Sequence, residues 1–291
     1  MRFVILSARQ GWHTRELCRA FVTRGHEGVV RPYETITSRV GGDFETESGG
    51  ERLDRSAGVL PRIIPNGSLE QIIFRVDGLH ALESGGVPVM NSARTIERTV
   101  DKFLTTVLLQ QAGLPTPETV ACENAEAALA AFRRMGDVIV KPLFGSMGLG
   151  MTRVSDEEMA FRVFRAIEVV RGVYYVQQTI QHEGRDIRAF VVGDRIVGAI
   201  ERQAPGWKTN LARGGLARPF VLPSHWASLA LTAAGAVGAE YAGVDLLPAS
   251  DGTVYVLEVN GIPGWQGLQT ATGIDIADAI VAHFLEWSKR G

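Results

Sequence analysis

The strongest constraint in this chain is a carboxylate set inside an apolar run, Val-Tyr-Val-Leu-Glu-Val-Asn-Gly-Ile-Pro-Gly-Trp-Gln-Gly at 254–267. Val254 to Val259 is β-branched and aromatic, so it reads as a strand. Residues two apart on a strand face the same way, which projects Glu258 and Asn260 together. Gly261, Pro263 and Gly264 then end the strand. Upstream, Gly-Val-Asp-Leu-Leu (243–247) reads as a second strand, and 248–253, with Asp251-Gly252, as a polar turn. A hairpin here brings Asp245 near Glu258. Carboxylates and an amide oxygen are hard ligands, the type Mg²⁺ takes alongside nucleotide phosphates. The alternative is a polar strand end facing solvent, but an unpaired charge inside Val-Leu-Glu-Val is costly.

Lysine is the second signal. The 30 basic residues include only four lysines, Lys102, Lys141, Lys208 and Lys289. Where any cation serves, this chain uses arginine, so a lysine points to a need for a compact charge, as at phosphate. Lys289 reads as a solvated end. Lys102 lies in the first turn of a helix running to about Gln111, stopped by Gly113 and Pro115. A cation there opposes the helix dipole, although Asp101 offsets it. Lys141 shares a face with Ile139 on a strand over 137–142. That strand feeds Leu-Phe-Gly-Ser-Met-Gly-Leu-Gly (143–150) and a further strand over 151–154. Glycines in such a loop let backbone N–H groups close around phosphate oxygens. It is not a Walker loop, because Gly-Lys-Ser/Thr and a following helix are both missing. An empty glycine-rich hairpin is the alternative.

The remaining chain reads as α/β in three segments. Residues 1–90 open with a βαβ pattern: Arg2–Leu6, an amphipathic stretch from Thr14 to Arg24, then Val29-Val30. No dinucleotide fingerprint follows the first strand. Residues 35–56 are polar and glycine-rich and read as an exposed excursion, followed by a weak strand over 59–64. Ser68-Leu-Glu-Gln71 is a capping box, with Leu69, Ile72, Ile73, Val76 and Leu79 as the expected buried stripe. Val87 to Met90 reads as a short strand. Residues 91–180 hold the Lys102 helix, an Ala-rich helix from Glu126 to Met135, the glycine loop, and a helix opened by Ser155-Asp-Glu-Glu158. They close with a strand over 174–180 ending in Gln177-Gln178. Residues 181–291 open with a hairpin turning at Gly193-Asp194. Asp186 and Arg188 share a face of its first strand; Glu201 and Arg202 end its second. Lys208, Asn210 and Arg213 follow, gathering cations and amides of the kind that polyphosphate and carboxylate substrates require. Helices are expected over 224–241 and from Asp275, the latter with Ile276, Ile280, Phe284 and Leu285 on one stripe.

Composition removes several function classes. A net charge of −2 gives no pointer to a polyanion partner, and no nucleic acid is expected. Phe3-Val4-Ile5-Leu6 is too short for a signal-peptide core, and no membrane-length run follows. Cys18 and Cys122 give neither a disulfide framework nor metal-ligand spacing, so a reducing cytoplasm is the expected compartment. The six histidines, also without metal spacing, read as surface or packing residues.

With Lys102, Lys141, the glycine loop, Asp245, Glu258 and Asn260 in this order, the chain resembles the ATP-grasp superfamily, and most closely the RimK-like α-L-glutamate ligases. Gly-Arg-Asp-Ile-Arg (184–188), Asn-Leu-Ala-Arg-Gly-Gly (210–215) and Leu-Glu-Val-Asn (257–260) carry most of the likeness. The resemblance implies a three-domain architecture, with ATP between the middle and last domains. Lys102 and Lys141 would contact nucleotide phosphates, and Lys141 would also lie near adenine. The loop with Gly145, Ser146, Gly148 and Gly150 would close over the γ-phosphate. Gln177, Gln178, Ile180, Asp186 and Lys208 would complete the nucleotide site. Asp245, Glu258 and Asn260 would hold Mg²⁺ or Mn²⁺, as two ions. Arg188, Arg202, Asn210 and Arg213 would bind phosphate and the carboxylate or its acyl phosphate. The hinge departs from the family pattern: Gln178-Thr179 stands where Glu and an aromatic are usual, which bears on the preference for ATP.

The implied reaction is ATP-dependent joining of an amine, that of L-glutamate, to a carboxylate through an acyl phosphate. Pro-Arg-Ile-Ile-Pro-Asn-Gly-Ser-Leu-Glu-Gln (61–71) and Asn-Ser-Ala-Arg-Thr-Ile-Glu-Arg (91–98) resemble a subgroup linked to tetrahydromethanopterin-type one-carbon metabolism. This favours a small pterin or furan coenzyme as acceptor over a ribosomal protein tail. Rival readings are a ligase of lysine or arginine biosynthesis and a nucleotide-binding regulatory module that does not ligate. No membrane partner is expected, and a homo-oligomer is compatible with the sequence.

Overall fold

The computed structural model describes every residue except 43, 146–147, 204–215 and 290–291. The first segment runs β1 (Arg2–Leu6), α1 (Trp12–Thr23), β2 (Glu27–Arg31), β3 (Ile36–Arg39), β4 (Glu45–Ser48), β5 (Glu51–Arg52), β6 (Val59–Pro61) and α2 (Leu69–Ser84). β1 pairs in parallel with β2 on one side and β6 on the other. Being central, it is buried on both faces. Phe3 and Ile5 enter an apolar cluster with α1, while Val4 and Leu6 enter one with α2. The capping box forms as expected: the Gln71 N–H donates to Ser68 Oγ, and the Ser68 N–H donates to Gln71 Oε1.

Two expectations for this segment are corrected. The stretch over 35–56 is no loose excursion, because β3, β4 and β5 form an antiparallel sheet. Thr46 and Ser48 are buried there. Their polarity hid this, but each is satisfied: Asp54 accepts from the Thr46 N–H at 2.9 Å, and Ser48 Oγ donates to the Pro32 carbonyl at 2.6 Å. The stripe of α2 also begins later than expected, at Val76, Leu79 and Leu82. Leu69, Ile72 and Ile73 stay exposed. Arg75 is buried instead, donating to the Pro65 carbonyl at 2.8 Å. The strand expected over 87–90 is reduced to a single bridge between Val89 and Val59.

The middle segment comprises α3 (Ala93–Val100), α4 (Lys102–Gln111), β7 (Thr119–Cys122), α5 (Ala125–Met135), β8 (Val138–Lys141), β9 (Thr152–Val154), α6 (Glu157–Val169) and β10 (Tyr174–Gln178). Its sheet is ordered β7-β10-β8-β9. Tyr174 and Val176 pack with α5 and α6 on one face, so Tyr175 and Gln177 occupy the other.

The last segment holds β11 (Arg185–Val192), β12 (Arg195–Gln203), β13 (Leu216–Pro219), α7 (Ser224–Val237), β14 (Tyr241–Pro248), β15 (Val254–Asn260), α8 (Gln266–Thr272) and α9 (Ile276–Trp287). Its antiparallel sheet is ordered β13-β12-β11-β14-β15. Ile187, Ala189, Val191, Val244 and Leu246 pack against the alanine face of α7. The opposite face is divided along its length. Phe190, Val192 and Tyr241 are apolar and join α9 and α1, whereas Asp186, Arg188 and Asp245 are charged.

The three segments are tied together by direct contacts, both buried and exposed. Phe284 of α9 lies edge-on to Phe3 at 5.5 Å, and the Arg24 guanidinium pairs with Asp278 at 2.7 Å. Asn91 is a fully used amide. Its Nδ2 donates to the Tyr241 and Gly261 carbonyls, and its Oδ1 accepts from the Glu240 and Tyr241 N–H groups. Among the described residues, no helix is long and apolar enough to cross a membrane.

Candidate active site

The β14–β15 hairpin forms where the sequence predicts it, with Asp245 directly opposite Glu258 and Gly243 opposite Asn260. A bulge follows, because Leu246 pairs with Val256 and leaves Leu257 unopposed. Neighbours on a regular strand point to opposite faces, but a bulge re-aims them. Leu257 and Glu258 consequently line one cleft together with Thr99, Lys102, Thr105, Lys141 and Tyr175.

The two lysines meet in this cleft. Lys102 opens α4 behind its N-cap Asp101, and its Nζ donates to the Gly145 carbonyl at 2.8 Å and the Leu143 carbonyl at 3.4 Å. Lys141 ends β8, and its Nζ donates to Gln177 Oε1. Neither ammonium has a carboxylate within ion-pair distance among the described residues. Burial lowers both pKa values, that of Lys141 to about 8, although the Glu258 charge partly opposes the shift. The Glu258 carboxylate likewise has no hydrogen-bond or ion-pair partner among the described residues. The loop from Lys141 uses glycine where only glycine is unstrained: φ is +142° at Gly145 and +75° at Gly150, with Pro142 against both. Gly148 is also left-handed.

The arginines stand differently. Arg188 makes a two-pronged pair with Asp245 at 2.7 and 2.8 Å, and Arg202 makes one with Asp186 at 2.6 and 2.7 Å. Arg202 Nη2 also reaches Asp245 Oδ2 at 2.9 Å, so the four residues form one chain. Glu201 pairs with Arg185 instead, at 3.0 Å. Burial alone would raise the Asp245 pKa, but Arg188 and Arg202 override it and hold the carboxyl well below the usual range. The same burial would lower the Arg202 pKa, and Asp245 and Asp186 reverse that.

Of the other expected site residues, Gln177 is buried beneath the cleft, with its amide directed at Lys141. Gln178 is exposed at the end of β10, and its N–H donates to the Glu118 carbonyl at 2.8 Å. Ile180 follows in irregular chain and is half-buried. Asp186 lies beneath Arg202. Asn260 Oδ1 accepts from the Ile262 N–H at 3.0 Å. Ser146, Lys208, Asn210 and Arg213 lie outside the described residues.

Sequence reasoning missed Tyr175, Thr99 and Thr105 as cleft residues; the only signal for Tyr175 was an aromatic alternating with apolar strand positions. It also missed Arg62, which stacks 4.8 Å from the Trp265 ring centre and donates to the Pro263 carbonyl, clamping the turn after Asn260. His13 accepts from the Trp265 N–H at 3.1 Å. Burial, with Arg62 nearby, lowers its pKa to about 4, so it is a neutral packing residue as expected.

Among the described residues, no three His, Cys, Asp or Glu side chains are grouped to hold a metal. The available donors are two carboxylates and an amide on adjacent strands, all hard oxygens, with Glu258 unpaired. They fit an ion of the Mg²⁺ type, which binds few protein ligands and keeps water or phosphate for the rest.

Three joined segments, with paired lysines over a carboxylate hairpin and a glycine loop at its rim, define an α/β ligase of the ATP-grasp class. The chain matches the RimK-like ATP-grasp domain over residues 99–284 and belongs to that family. It is 38% identical to the tetrahydromethanopterin:alpha-L-glutamate ligase of Methanosarcina acetivorans, over 96% of this chain and 97% of that one. It is 32% identical to the ligase of the same name from Methanococcus maripaludis, over 99% of both. Among solved structures, the RimK domain protein ATP-grasp from Sphaerobacter thermophilus superposes with a TM-score of 0.73 at 25% identity, covering 98% of this chain and 100% of that one. The ATP-grasp ligase PsnB complexed with minimal precursor, Mg and ADP gives 0.77 at 20% identity, covering 98% and 97%. The protein is an ATP-dependent ligase, and its family implies a divalent metal.

Proposed function

We propose that this ligase joins L-glutamate to a carboxylate of a small coenzyme of the tetrahydromethanopterin type, in the cytoplasm. The observation that carries the nucleotide site is the pair of enclosed lysines without anionic partners, facing an unpaired Glu258. Two desolvated cations beside a carboxylate suit a metal-bound polyphosphate, which supplies both the missing anion and the missing cation. The acceptor and the amino acid come from the ligase relatives.

The reaction has two steps. A carboxylate oxygen of the acceptor attacks the γ-phosphorus of ATP, ADP leaves, and an acyl phosphate forms. The glutamate amine then attacks the acyl carbon, inorganic phosphate leaves, and the amine proton passes to solvent. Lys102 and Lys141 hold the nucleotide phosphates, and the Gly145–Gly150 loop covers them. Ile180, beside the exposed Gln178, lies at the adenine edge, where Gln178 offers a neutral amide in place of an acidic contact. Asp245, Glu258 and Asn260 would hold Mg²⁺ or Mn²⁺, whose chemistry here is neutralisation of phosphate charge. Arg188 and Arg202 orient the acyl phosphate through paired N–H donors while anchored on Asp245 and Asp186. Lys208, Asn210 and Arg213 belong to the same substrate-binding set. The domain division is 1–90, 91–180 and 181–291.

The test is ADP formation with Mg²⁺ or Mn²⁺, ATP and L-glutamate across a panel of acceptors. The panel includes tetrahydromethanopterin, a glutamate-bearing furan coenzyme, an α-amino-acid precursor and a ribosomal protein tail. Turnover dependent on both glutamate and a pterin is expected. Turnover with another amino acid, or with the protein tail alone, would refute the substrate assignment. ATP binding without turnover in any arm would refute ligation.

A further inference from the structure

The face of the middle sheet that looks onto the cleft carries a polar chain in which the donor of each hydrogen bond can be assigned. Lys141 Nζ donates to Gln177 Oε1, which fixes the amide with its nitrogen pointing away. Gln177 Nε2 then donates to Thr119 Oγ1 at 2.9 Å and to Tyr175 Oη at 3.3 Å. Thr119 Oγ1 passes its own proton to the Pro117 carbonyl at 2.9 Å. Thr106 Oγ1 donates to the Lys102 carbonyl at 2.8 Å, so in its 2.7 Å contact with Tyr175 it must accept. The chain therefore runs one way, from the Lys141 ammonium through Gln177, Tyr175 and Thr106 to the backbone of Lys102.

Tyr175 and Gln177 are both buried, at 1% and 2% exposure; Tyr175 forms part of the cleft wall, and Gln177 lies behind it. The Lys141 ammonium also lies 5.9 Å from the centre of the Tyr175 ring. All these partners are neutral. They orient the ammonium without cancelling its charge, which a carboxylate at the Gln177 position would do.

We propose that Gln177, Tyr175 and Thr106 are positioning residues that lock Lys141 on β8 to Lys102 on α4. The pair then meets a nucleotide's phosphates at a fixed spacing, with both charges available. This inference rests on the nucleotide reading above.

It is tested by ADP binding in calorimetry together with steady-state kinetics for ATP. Gln177→Glu should weaken ADP binding by about tenfold or more, because the new carboxylate competes with phosphate for Lys141. Its thermal unfolding temperature should not fall, since a cation gains a partner. Tyr175→Phe and Thr106→Val each remove one hydroxyl. Each should raise KM for ATP by about three- to tenfold with kcat little changed. In the double variant the effects should not add, because both break the same chain. Should Gln177→Glu fail to fold, the two hydroxyl variants still decide the matter. Wild-type ADP affinity in Tyr175→Phe and Thr106→Val, or full additivity between them, would overturn the positioning role. If the unaltered protein binds no ADP, the nucleotide reading itself fails, and this inference with it.

Discussion

Two pairs of cations assigned to the site stand in opposite electrostatic conditions. Arg188 and Arg202 are bound two-pronged to Asp245 and Asp186, deep in the last sheet. Among the described residues, Lys102 and Lys141 donate hydrogen bonds only to carbonyl and amide oxygens. Burial of a charge is costly unless it is paired, so the arginines are settled while the lysines remain destabilised in their charged form. The residue types match these conditions. A guanidinium stays charged in any surroundings and fits a carboxylate with two parallel bonds; an ammonium is a point charge whose pKa moves readily on burial. One pair therefore belongs to the folded scaffold as well as the site, and the other is poised for an anion brought from outside.

The largest effect should come from breaking the settled pair. Arg202→Ala removes the two-pronged partner of Asp186 and one of the two cations on Asp245, and breaking a buried pair in this way costs about 3–5 kcal/mol. Denaturant unfolding should show this loss together with a fall in kcat. Loss of turnover at unchanged stability would mean that the Asp186–Arg202–Asp245 chain does not support the sheet.

Glu258→Gln tests the other side of the comparison. No close partner is lost, so unfolding should barely shift. ADP formation should nevertheless fall by at least the roughly 10–100-fold that disturbing a metal's outer partners costs. Near wild-type turnover at ordinary Mg²⁺ concentrations would remove Glu258 from the metal set.

Lys141→Arg keeps the charge but places a broad planar fork between Gln177 and Tyr175. About tenfold weaker ADP binding by calorimetry is expected. Tight binding with unimpaired turnover would show that any cation serves there.

The mildest effect is a pH dependence. Lys141 titrates near 8 when folded, against 10.5 for an ordinary lysine. Between these values the unfolded chain binds the extra proton, so this group makes stability rise with pH, by at most about 1.4 kcal/mol per unit. Nucleotide affinity should move the opposite way, weakening above pH 8 by at most about tenfold per unit as the ammonium is lost. Glu258, Lys102, Asp245 and Tyr175 face the same group, and the lowered pKa of Lys102 acts in the same direction. A flat ADP-binding profile from pH 7 to 9.5 would place the lysines outside phosphate contact.

Much of this contrast was visible in the sequence as residue types. Lysine scarcity singled out Lys102 and Lys141, and a charge inside Val-Leu-Glu-Val singled out Glu258, because composition and strand alternation are local properties. The turn at Asp251-Gly252 then set Asp245 opposite Glu258. Polarity misled over 35–56, where hydroxyls bonded to backbone are buried as readily as apolar groups. It misled again in α2, where the stripe assumed a neighbour that its first two turns lack.

By itself, the sequence determined most of the elements and the order of the motifs. Only the tertiary structure decided which cation found an anion. Arg188 and Asp245 are 57 positions apart, and they pair because β11 lies beside β14. The bulge that turns Leu257 with Glu258 into the cleft, the amide chain behind Lys141 and the packing of α9 on β1 are of the same kind. Periodicity fixes the direction in which a side chain points along its own strand or helix. Which strands become neighbours is fixed by how several faces are buried at once, and no single segment carries that information.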